Sequence, residues 1–254
     1  MRVYLAGLES KLHNKSIIEQ IYSNSGTISI LGSFFNIRRR NTGSYSLLFP
    51  YFKDFLLDSG AFSFMNSQCN VHDWNKYLEE YADYIKKNQV EKFFELDIDM
   101  IVGYDKVKEY RSILERIVNR PCIPVWHRSR GQDEFLRLCD EYSYVAIGGI
   151  AIKHISQNEY KNFTYLIRES HRRSCKIHGL GFTSFSGLRK YHFDSVDSTS
   201  WLGGSRFGQL YKFANGQLRR ISHKDNTRAV DTLGLDSFNF GEWVKFQKYA
   251  EVHL

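Results

Sequence analysis

The sequence lacks the features that mark several protein classes. Proline is scarce, with 3 in 254 residues, and no flexible linker separates two domains. No apolar run approaches the roughly 20 residues that span a bilayer. No repeat with a period of about 20 to 50 residues is present, which excludes solenoids and propellers. The N-terminal MRVYLAGL turns polar too early for a signal peptide, so we expect a cytoplasmic protein without a membrane partner.

Cysteine is also scarce and widely spaced. Cys69, Cys122, Cys139 and Cys175 contain no CxxC pair, which argues against a zinc knuckle. Without an export signal, these thiols are expected to be reduced. Neither a cluster of metal ligands nor a glycine-rich phosphate loop is visible in the sequence. We therefore expect no metal and no organic cofactor.

Basic residues and aromatic residues are abundant. The chain has 35 Lys and Arg against 28 Asp and Glu, which gives a net charge of +7. Aromatic residues make up 15% of the sequence, which argues against disorder. The positive charge favours a polyanionic partner such as nucleic acid, although many soluble proteins are mildly basic without one.

Short apolar runs rich in β-branched and aromatic residues alternate with longer amphipathic segments, such as 71–88 and 104–120. Because parallel strands need crossover helices, this alternation predicts a parallel sheet. Eight such units in about 250 residues predict a single-domain (β/α)8 barrel over residues 1–254. The strand candidates are residues 2–6, 27–31, 54–58, 92–97, 122–126, 144–148, 175–179 and 193–197.

Three segments depart from the alternation. Residues 32–53 contain IRRRNTGSYS and read as an irregular basic loop after the second strand. Residues 210–222 predict a small inserted hairpin around Asn215-Gly216, a favoured two-residue turn. A last helix is predicted over 238–252.

Polar residues follow the predicted strands at the end where a barrel carries its catalytic groups. Three carboxylates and two histidines at this end predict an active site, because a carboxylate at the edge of a core is costly. Taken singly, Asp58-Ser59-Gly60 fits an ordinary turn, and His178 fits a core histidine. The strand-end residues are Asp58, Asp97, His127, Gly148, Gly149, His178 and Asp197.

Two carboxylates at such a site indicate chemistry at an acetal-like carbon. Glycosyl transfer uses one carboxylate as nucleophile and a second as acid/base, roles that Asp197 and Asp58 could fill. Hydrolysis of a sugar and exchange of a nucleoside base both remain open. The aromatic and basic composition favours the nucleoside.

Four motifs, in order and correctly spaced, resemble the tRNA-guanine transglycosylase superfamily. They are LLDSGAFS (56–63), YVAIGGIA (144–151), KIHGLGF (176–182) and SVDSTSW (195–201). The similarity is greatest to the compact phage and bacterial branch, which inserts 7-deazaguanines into DNA. The resemblance implies a (β/α)8 barrel that exchanges guanine for a 7-deazaguanine, with 7-cyano-7-deazaguanine as the expected donor, through a covalent glycosyl-enzyme intermediate.

The resemblance also implies a role for each matching residue. Asp197 corresponds to the nucleophile, with Asp194 as the fallback if the register is shifted by three residues. Asp58 corresponds to the general acid/base. His127 stands where the tRNA enzymes use a glutamine to read the base. The residues implied to contact the base are Ser59, Phe62, Asp97, His127, Gly148, Gly149, Ile150 and Phe182.

The expected partner is DNA, with tRNA as the alternative. The tRNA enzymes carry a cysteine-rich zinc site after the eighth strand and a longer C-terminal region, and this sequence has neither. A non-catalytic nucleic-acid-binding subunit and a glycoside hydrolase are further alternatives, and the oligomeric state is not predicted. Candidates for gripping phosphates, unless they are ordinary surface residues, are Arg38, Arg39, Arg40, Arg172, Arg173, Arg219 and Arg220.

Overall fold

The structure is a computed structural model that describes residues 1–40, 43, 45–60, 73–221 and 232–254. Its main element is one sheet of eight parallel strands. The strands are β1 (Arg2–Ala6), β2 (Ile28–Ser33), β3 (Phe52–Asp58), β4 (Lys92–Phe93), β5 (Val125–Trp126), β6 (Tyr144–Ile147), β7 (Lys176–Gly179) and β8 (Ser195–Ser198). Their order in the sheet is β4-β3-β2-β1-β8-β7-β6-β5.

The sheet is curled, so that its two end strands approach each other. One parallel bridge joins Phe94, just after β4, to Ile123, just before β5. The Glu95 N–H donates to the Ile123 carbonyl at 3.1 Å, and the Ile123 N–H donates to the Phe93 carbonyl at 2.8 Å. The predicted α/β class with eight parallel strands is confirmed, and the curled sheet is like that of a (β/α)8 barrel.

Helices connect the strands and pack against the outer face of the sheet. In the part of the chain that is described, no helix is both long and apolar enough to cross a membrane. The helices are α1 (Lys15–Ser23), α2 (Phe34–Arg40), α3 (Trp74–Lys87), α4 (Asp99–Val102), α5 (Tyr104–Val118), α6 (Gly131–Glu141), α7 (Phe163–Arg172), α8 (Phe185–Lys190), α9 (Gly203–Phe207) and α10 (Thr232–His253).

The predicted helix over 71–88 illustrates how sequence determines these elements. The Asp73 side chain caps α3 by accepting a hydrogen bond from the Lys76 N–H at 3.0 Å. Apolar residues recur at three- and four-residue spacing, so that Tyr81 and Ile85 are fully buried against the sheet. Burying each such side chain contributes about 1.5–3 kcal/mol to packing.

The prediction of an irregular loop over residues 32–53 is wrong in part. The helix α2 follows β2 directly, and a 3-10 helix covers Ser46–Tyr51. The reason is that Phe34, Phe35 and Ile37 are all buried. These apolar side chains anchor one face of the segment to the core, while its arginines remain exposed.

The predicted hairpin is present, with strands β9 (Leu210–Ala214) and β10 (Gln217–Ile221). Asn215 and Gly216 have φ angles of 51° and 70°, the left-handed conformation that a two-residue hairpin turn requires. The last helix, α10, is longer than the predicted 238–252, since it extends from Thr232 to His253.

The sheet separates an outer core from an interior core. Successive strand residues point to opposite faces, so Val196 of β8 packs towards the helices. Ser195 and Asp197, on either side of it, therefore face the interior. The apolar residues of the interior are Tyr4, Ala6, Leu31, Leu56, Phe94, Ile123, Val125 and Ala146.

Candidate active site

Three predicted carboxylates lie near one another where the strands end. Asp58 is the last residue of β3, and Asp197 is the third residue of β8. Asp97 follows β4. Burial raises the pKa of Asp58 to about 7, and the charges of Asp197 and Asp97 act in the same direction. Because the like charges of these groups reach Asp58, they form one electrostatic site.

Asp197 has one oxygen engaged and one free. It is 8% exposed. Its Oδ1 accepts hydrogen bonds from the Gly181 N–H at 2.7 Å and from His178 Nε2 at 3.2 Å. Within the described ranges, no group donates to Oδ2. The carboxylate is therefore held by one oxygen, which leaves the other for a substrate.

Asp58 is positioned by a tight turn. Its Oδ2 accepts a hydrogen bond from the Gly60 N–H at 3.0 Å. Gly60 has a φ of 92°, and a Cβ there would lie 2.3 Å from the Phe35 Cβ, so only glycine fits. The Ser59 carbonyl accepts a hydrogen bond from the Tyr77 hydroxyl at 2.6 Å, which ties the turn to α3. The Ser59 side chain is buried, so it offers no open surface to a base.

His127 and Asp97 form a hydrogen-bonded pair. His127 Nε2 lies 2.7 Å from Asp97 Oδ1. Burial alone would lower the pKa of His127, but the Asp97 carboxylate outweighs burial and the pKa is raised. A Cβ at Gly148 would lie 2.6 Å from His127 Cε1, so glycine is required for the ring to occupy this place. Gly149 has a φ of 80°, which completes the tight bend after β6.

A cavity of about 470 Å³ opens beside this pair. Its size falls in the range of small-molecule pockets. Ile150 lies next to this bend and is 5% exposed. The cavity is lined by Asp99, Met100, His127, Arg128, Ser129, Gly148, Gly149, His154 and Ile155.

A buried arginine, Arg130, lies beside the pair formed by His127 and Asp97 and forms ion pairs with the carboxylates there. The Arg130 side chain is 3% exposed and lies 2.9 Å from Asp99 and 3.7 Å from Asp97. Its guanidinium also lies 4.0 Å over the Tyr104 ring. The ligand atoms of Asp97, Asp99 and His127 lie within 4.8 Å of one another, a spacing that suits a metal ion. A divalent cation there would face the guanidinium directly, so the geometry favours an ion-pair network over a metal site.

One predicted base contact and the fallback nucleophile lie elsewhere. Phe182 is 1% exposed and its ring packs 5.2 Å from that of Phe193, so its role is core packing rather than the predicted stacking on a base. Asp194 precedes β8 and accepts a hydrogen bond from the Ile177 N–H at 2.8 Å. It thus lies at the opposite end of β8 from Asp197, which removes it as a fallback nucleophile. Phe62 lies outside the described residues.

The seven predicted phosphate-binding arginines do not lie together. Three of them, Arg38, Arg39 and Arg40, form the exposed last turn of α2, and Arg38 is paired with Glu80. The other four lie in two later segments of the chain, Arg172 and Arg173 in the first and Arg219 and Arg220 in the second.

The arginines of the first of these segments are paired and distant from the site. Arg172 and Arg173 form ion pairs with Glu169 at 2.9 and 3.0 Å. They directly precede β7, so they lie at the edge of the sheet opposite the strand carboxyl ends. Arg219 and Arg220 are exposed on the hairpin strand β10. Arg172 and Arg173 therefore lie away from the strand carboxyl ends, and phosphate binding by Arg219 and Arg220 stays a prediction.

Sequence reasoning missed Glu9, whose charge also acts to raise the pKa of Asp58. Glu9 is 3% exposed, and burial raises its pKa to about 7. Its Oε1 accepts a hydrogen bond from the Asn36 side chain at 3.2 Å. Glu9 lies three residues after β1, so the strand-end rule that identified Asp58 would have found it. The ion pairs of Arg130 were not predictable, because only the fold reveals the carboxylates that it contacts.

A comparison with protein-family models finds none that matches this chain, and a comparison with curated proteins finds no match either.

Proposed function

We propose that this protein is a DNA-guanine transglycosylase, which exchanges guanine in DNA for a 7-deazaguanine base through a covalent glycosyl-aspartate intermediate. The observation that carries the proposal is a pair of carboxylates, Asp197 and Asp58, whose hydrogen bonding and pKa suit different roles. Asp197 is held through one oxygen by two N–H donors, while Asp58, with a pKa of about 7, lies within reach of its charge. The four motifs that resemble the transglycosylase superfamily agree with it.

In the first step, Asp197 Oδ2 attacks C1′ of the target nucleoside and the bond from C1′ to guanine N9 breaks. The protonated Asp58 carboxyl donates its proton to the departing guanine. A pKa near 7 suits this role, because a substantial fraction of the carboxyl is protonated at neutral pH.

In the second step, the 7-deazaguanine enters the emptied site. Asp58, now a carboxylate, takes the proton from the N–H that corresponds to N9 of guanine. The deprotonated nitrogen attacks C1′, and the C1′–Oδ2 bond breaks to restore Asp197. Protons and electron pairs balance between the two carboxyl groups, so the proposal requires no cofactor and no metal.

We assign recognition of the base to the pair formed by Asp97 and His127. The free edge of guanine carries N–H donors, which a carboxylate accepts well. The bend at Gly148 and Gly149 lines the same cavity as His127, so its backbone can also contact a base bound there. The neighbouring cavity of about 470 Å³ has room for a substituted base.

We propose DNA rather than tRNA as the polymer. The net charge of +7 and the exposed arginines at the end of α2, Arg38 to Arg40, suit a polyanion. Residues 199–254 contain no cysteine for a zinc site of the kind that the tRNA enzymes carry. In duplex DNA the target nucleotide must be flipped out, at a cost of a few kcal/mol. We further propose that the sheet closes as a (β/α)8 barrel at the bridge between Phe94 and Ile123.

The test is base exchange with purified protein, isotopically labelled guanine or 7-cyano-7-deazaguanine, and either DNA or tRNA. Nucleoside mass spectrometry after digestion should detect the label in DNA. Exclusive labelling of tRNA would overturn the choice of polymer. Release of guanine without incorporation of any base, with an abasic sugar left in the polymer, would instead identify a glycoside hydrolase.

A further inference from the structure

A chain of polar side chains runs through the interior of the sheet behind Asp197. His178 and Ser195 are register partners on the neighbouring strands β7 and β8. His178 is fully buried and Ser195 is 2% exposed. Tyr144, at the start of β6, reaches the same interior. Polar groups at this depth are costly unless each has a hydrogen-bond partner.

Each member of this chain has such a partner. His178 Nε2 lies 3.2 Å from Asp197 Oδ1, and His178 Nδ1 lies 2.5 Å from Ser195 Oγ. Ser195 Oγ in turn contacts the Tyr144 hydroxyl. Both ring nitrogens of His178 are therefore engaged, one by the carboxylate and one by a hydroxyl.

We propose that Tyr144, Ser195 and His178 are positioning residues, which aim Asp197 so that Oδ2 faces the substrate. This inference rests on the proposed transglycosylase function. The Tyr144 hydroxyl donates to Ser195, Ser195 donates to His178 Nδ1, and His178 Nε2–H donates to Asp197 Oδ1.

We assign this direction from the chemistry of the groups. A carboxylate only accepts, so the proton between His178 and Asp197 lies on Nε2. Burial raises the pKa of Tyr144, so its hydroxyl keeps a proton to donate. Ser195 has a single proton, which it gives to Nδ1 when it accepts one from Tyr144. The hydroxyl chain thus selects one tautomer of His178.

The surrounding rings hold His178 in this orientation. Its ring centroid lies 5.4 Å from that of Phe94 and 6.0 Å from that of Tyr4. The second donor to Asp197 Oδ1, the Gly181 N–H, is fixed in the backbone at 2.7 Å. The carboxylate therefore has two rigid donors on one oxygen, which restricts its rotation.

Two substitutions of His178 distinguish a role in orienting Asp197 from a role in packing. His178→Phe keeps the ring but removes both hydrogen bonds, and we expect kcat to fall by about 10- to 100-fold with KM for DNA unchanged. His178→Gln places an amide N–H near the position of Nε2, and should restore kcat to within about threefold of wild type. Equal losses in the two variants would overturn the inference, provided that the wild type exchanges bases.

A measurement on the wild-type protein tests the chain without reference to activity. With ¹⁵N-labelled histidine, the NMR signals of His178, assigned by their loss in His178→Gln, should be those of the Nε2–H tautomer. Ser195→Ala should shift them, because Nδ1 loses its donor. An Nδ1–H tautomer, or no response to Ser195→Ala, would contradict the chain. Absence of base exchange by a wild-type protein that shows the expected tautomer would refute the proposed function instead.

Discussion

Two pairs of histidine and aspartate lie at the carboxyl ends of the strands, and their surroundings differ. His127 and Asp97 are 2.7 Å apart, partly exposed and backed by the buried guanidinium of Arg130. His178 and Asp197 are 3.2 Å apart, buried, and backed by hydroxyl groups. The first pair borders a cavity, whereas the second lies within the interior core.

The difference shows how one pairing of residue types can serve two purposes. A carboxylate in an ion-pair network next to a cavity can accept the N–H edge of a base, which favours binding. A carboxylate held on one oxygen by two N–H donors keeps its other oxygen free, which favours attack. We therefore expect changes at Asp97 to affect mainly KM, and changes at Asp197 to affect mainly kcat.

The largest effect is expected for Asp197→Asn. The amide is a poor nucleophile, so exchange of labelled guanine should fall by at least about 1,000-fold. Asp105→Asn is the matched control, because the Asp105 side chain is 98% exposed and lies on the surface of α5. Retention of more than a tenth of wild-type exchange by the Asp197 variant would break the assignment.

Asp97→Asn should have the next largest effect. The variant loses the carboxylate that we propose accepts the base edge, and it leaves Arg130 and His127 with one charge partner fewer. We expect kcat/KM for the incoming base to fall by about 100-fold, mainly through KM, in steady-state kinetics with varied base. A loss confined to kcat would remove the distinction between the two pairs.

The pH dependence of the rate follows from the raised pKa of Asp58. A single group that must be protonated in one step and deprotonated in the next works best near its own pKa. We therefore expect the exchange rate to be greatest near pH 7 and to decline by up to about tenfold per unit of pH on either side. A rate that rises without limit from pH 6 to pH 9 would rule out Asp58 as the acid.

The raised pKa of Asp58 also makes the free energy of unfolding depend on pH. The folded protein binds the Asp58 proton more tightly than the unfolded chain, so the free energy of unfolding falls as the pH rises from about 4 to 7. Asp58→Asn removes this pH-dependent loss. The free energy of unfolding of the variant, relative to that of the wild type, should therefore be about 1–3 kcal/mol greater at pH 8 than at pH 4. Chemical denaturation at both pH values measures it, and an unchanged difference would contradict the raised pKa.

The smallest effect is expected for Gly148→Ala. The added methyl group would meet His127 at 2.6 Å and displace its ring, at a cost of about 1–3 kcal/mol. KM for the base should rise by about 10-fold, with less change in kcat. Gly43→Ala is the control, because a Cβ at Gly43 meets nothing within 4 Å. Equal kinetics for the two variants would show that the place of the His127 ring is unimportant.

The strands were predictable because their physical signal is local. Each of the eight predicted segments overlaps a strand, and the segments 92–97 and 122–126 also include the bridging residues Phe94 and Ile123. Asp58 and Asp197 stood out because a charge directly after buried apolar residues is rare. The hairpin turn at Asn215 and Gly216 was predictable for an equally local reason, the left-handed backbone that this dipeptide tolerates.

The remainder depends on the fold and was not predictable. The run of arginines after Phe34 and Phe35 is typical of an exposed loop, so the buried face of α2 was not predicted. Arg172 precedes a strand rather than following one, so it lies at the edge of the sheet opposite the strand carboxyl ends. The chain from Tyr144 to His178 joins residues from different strands, and only their positions in the sheet bring them together.

The covalent intermediate on Asp197 is the central claim, and mass spectrometry of the acid-quenched protein tests it most directly. After brief mixing with a guanine-containing oligonucleotide, we expect a protein mass increased by that of the oligonucleotide minus guanine. Digestion should then locate the adduct on the peptide that contains Asp197. Exchange activity without an adduct, or an adduct on any other residue, would contradict the account.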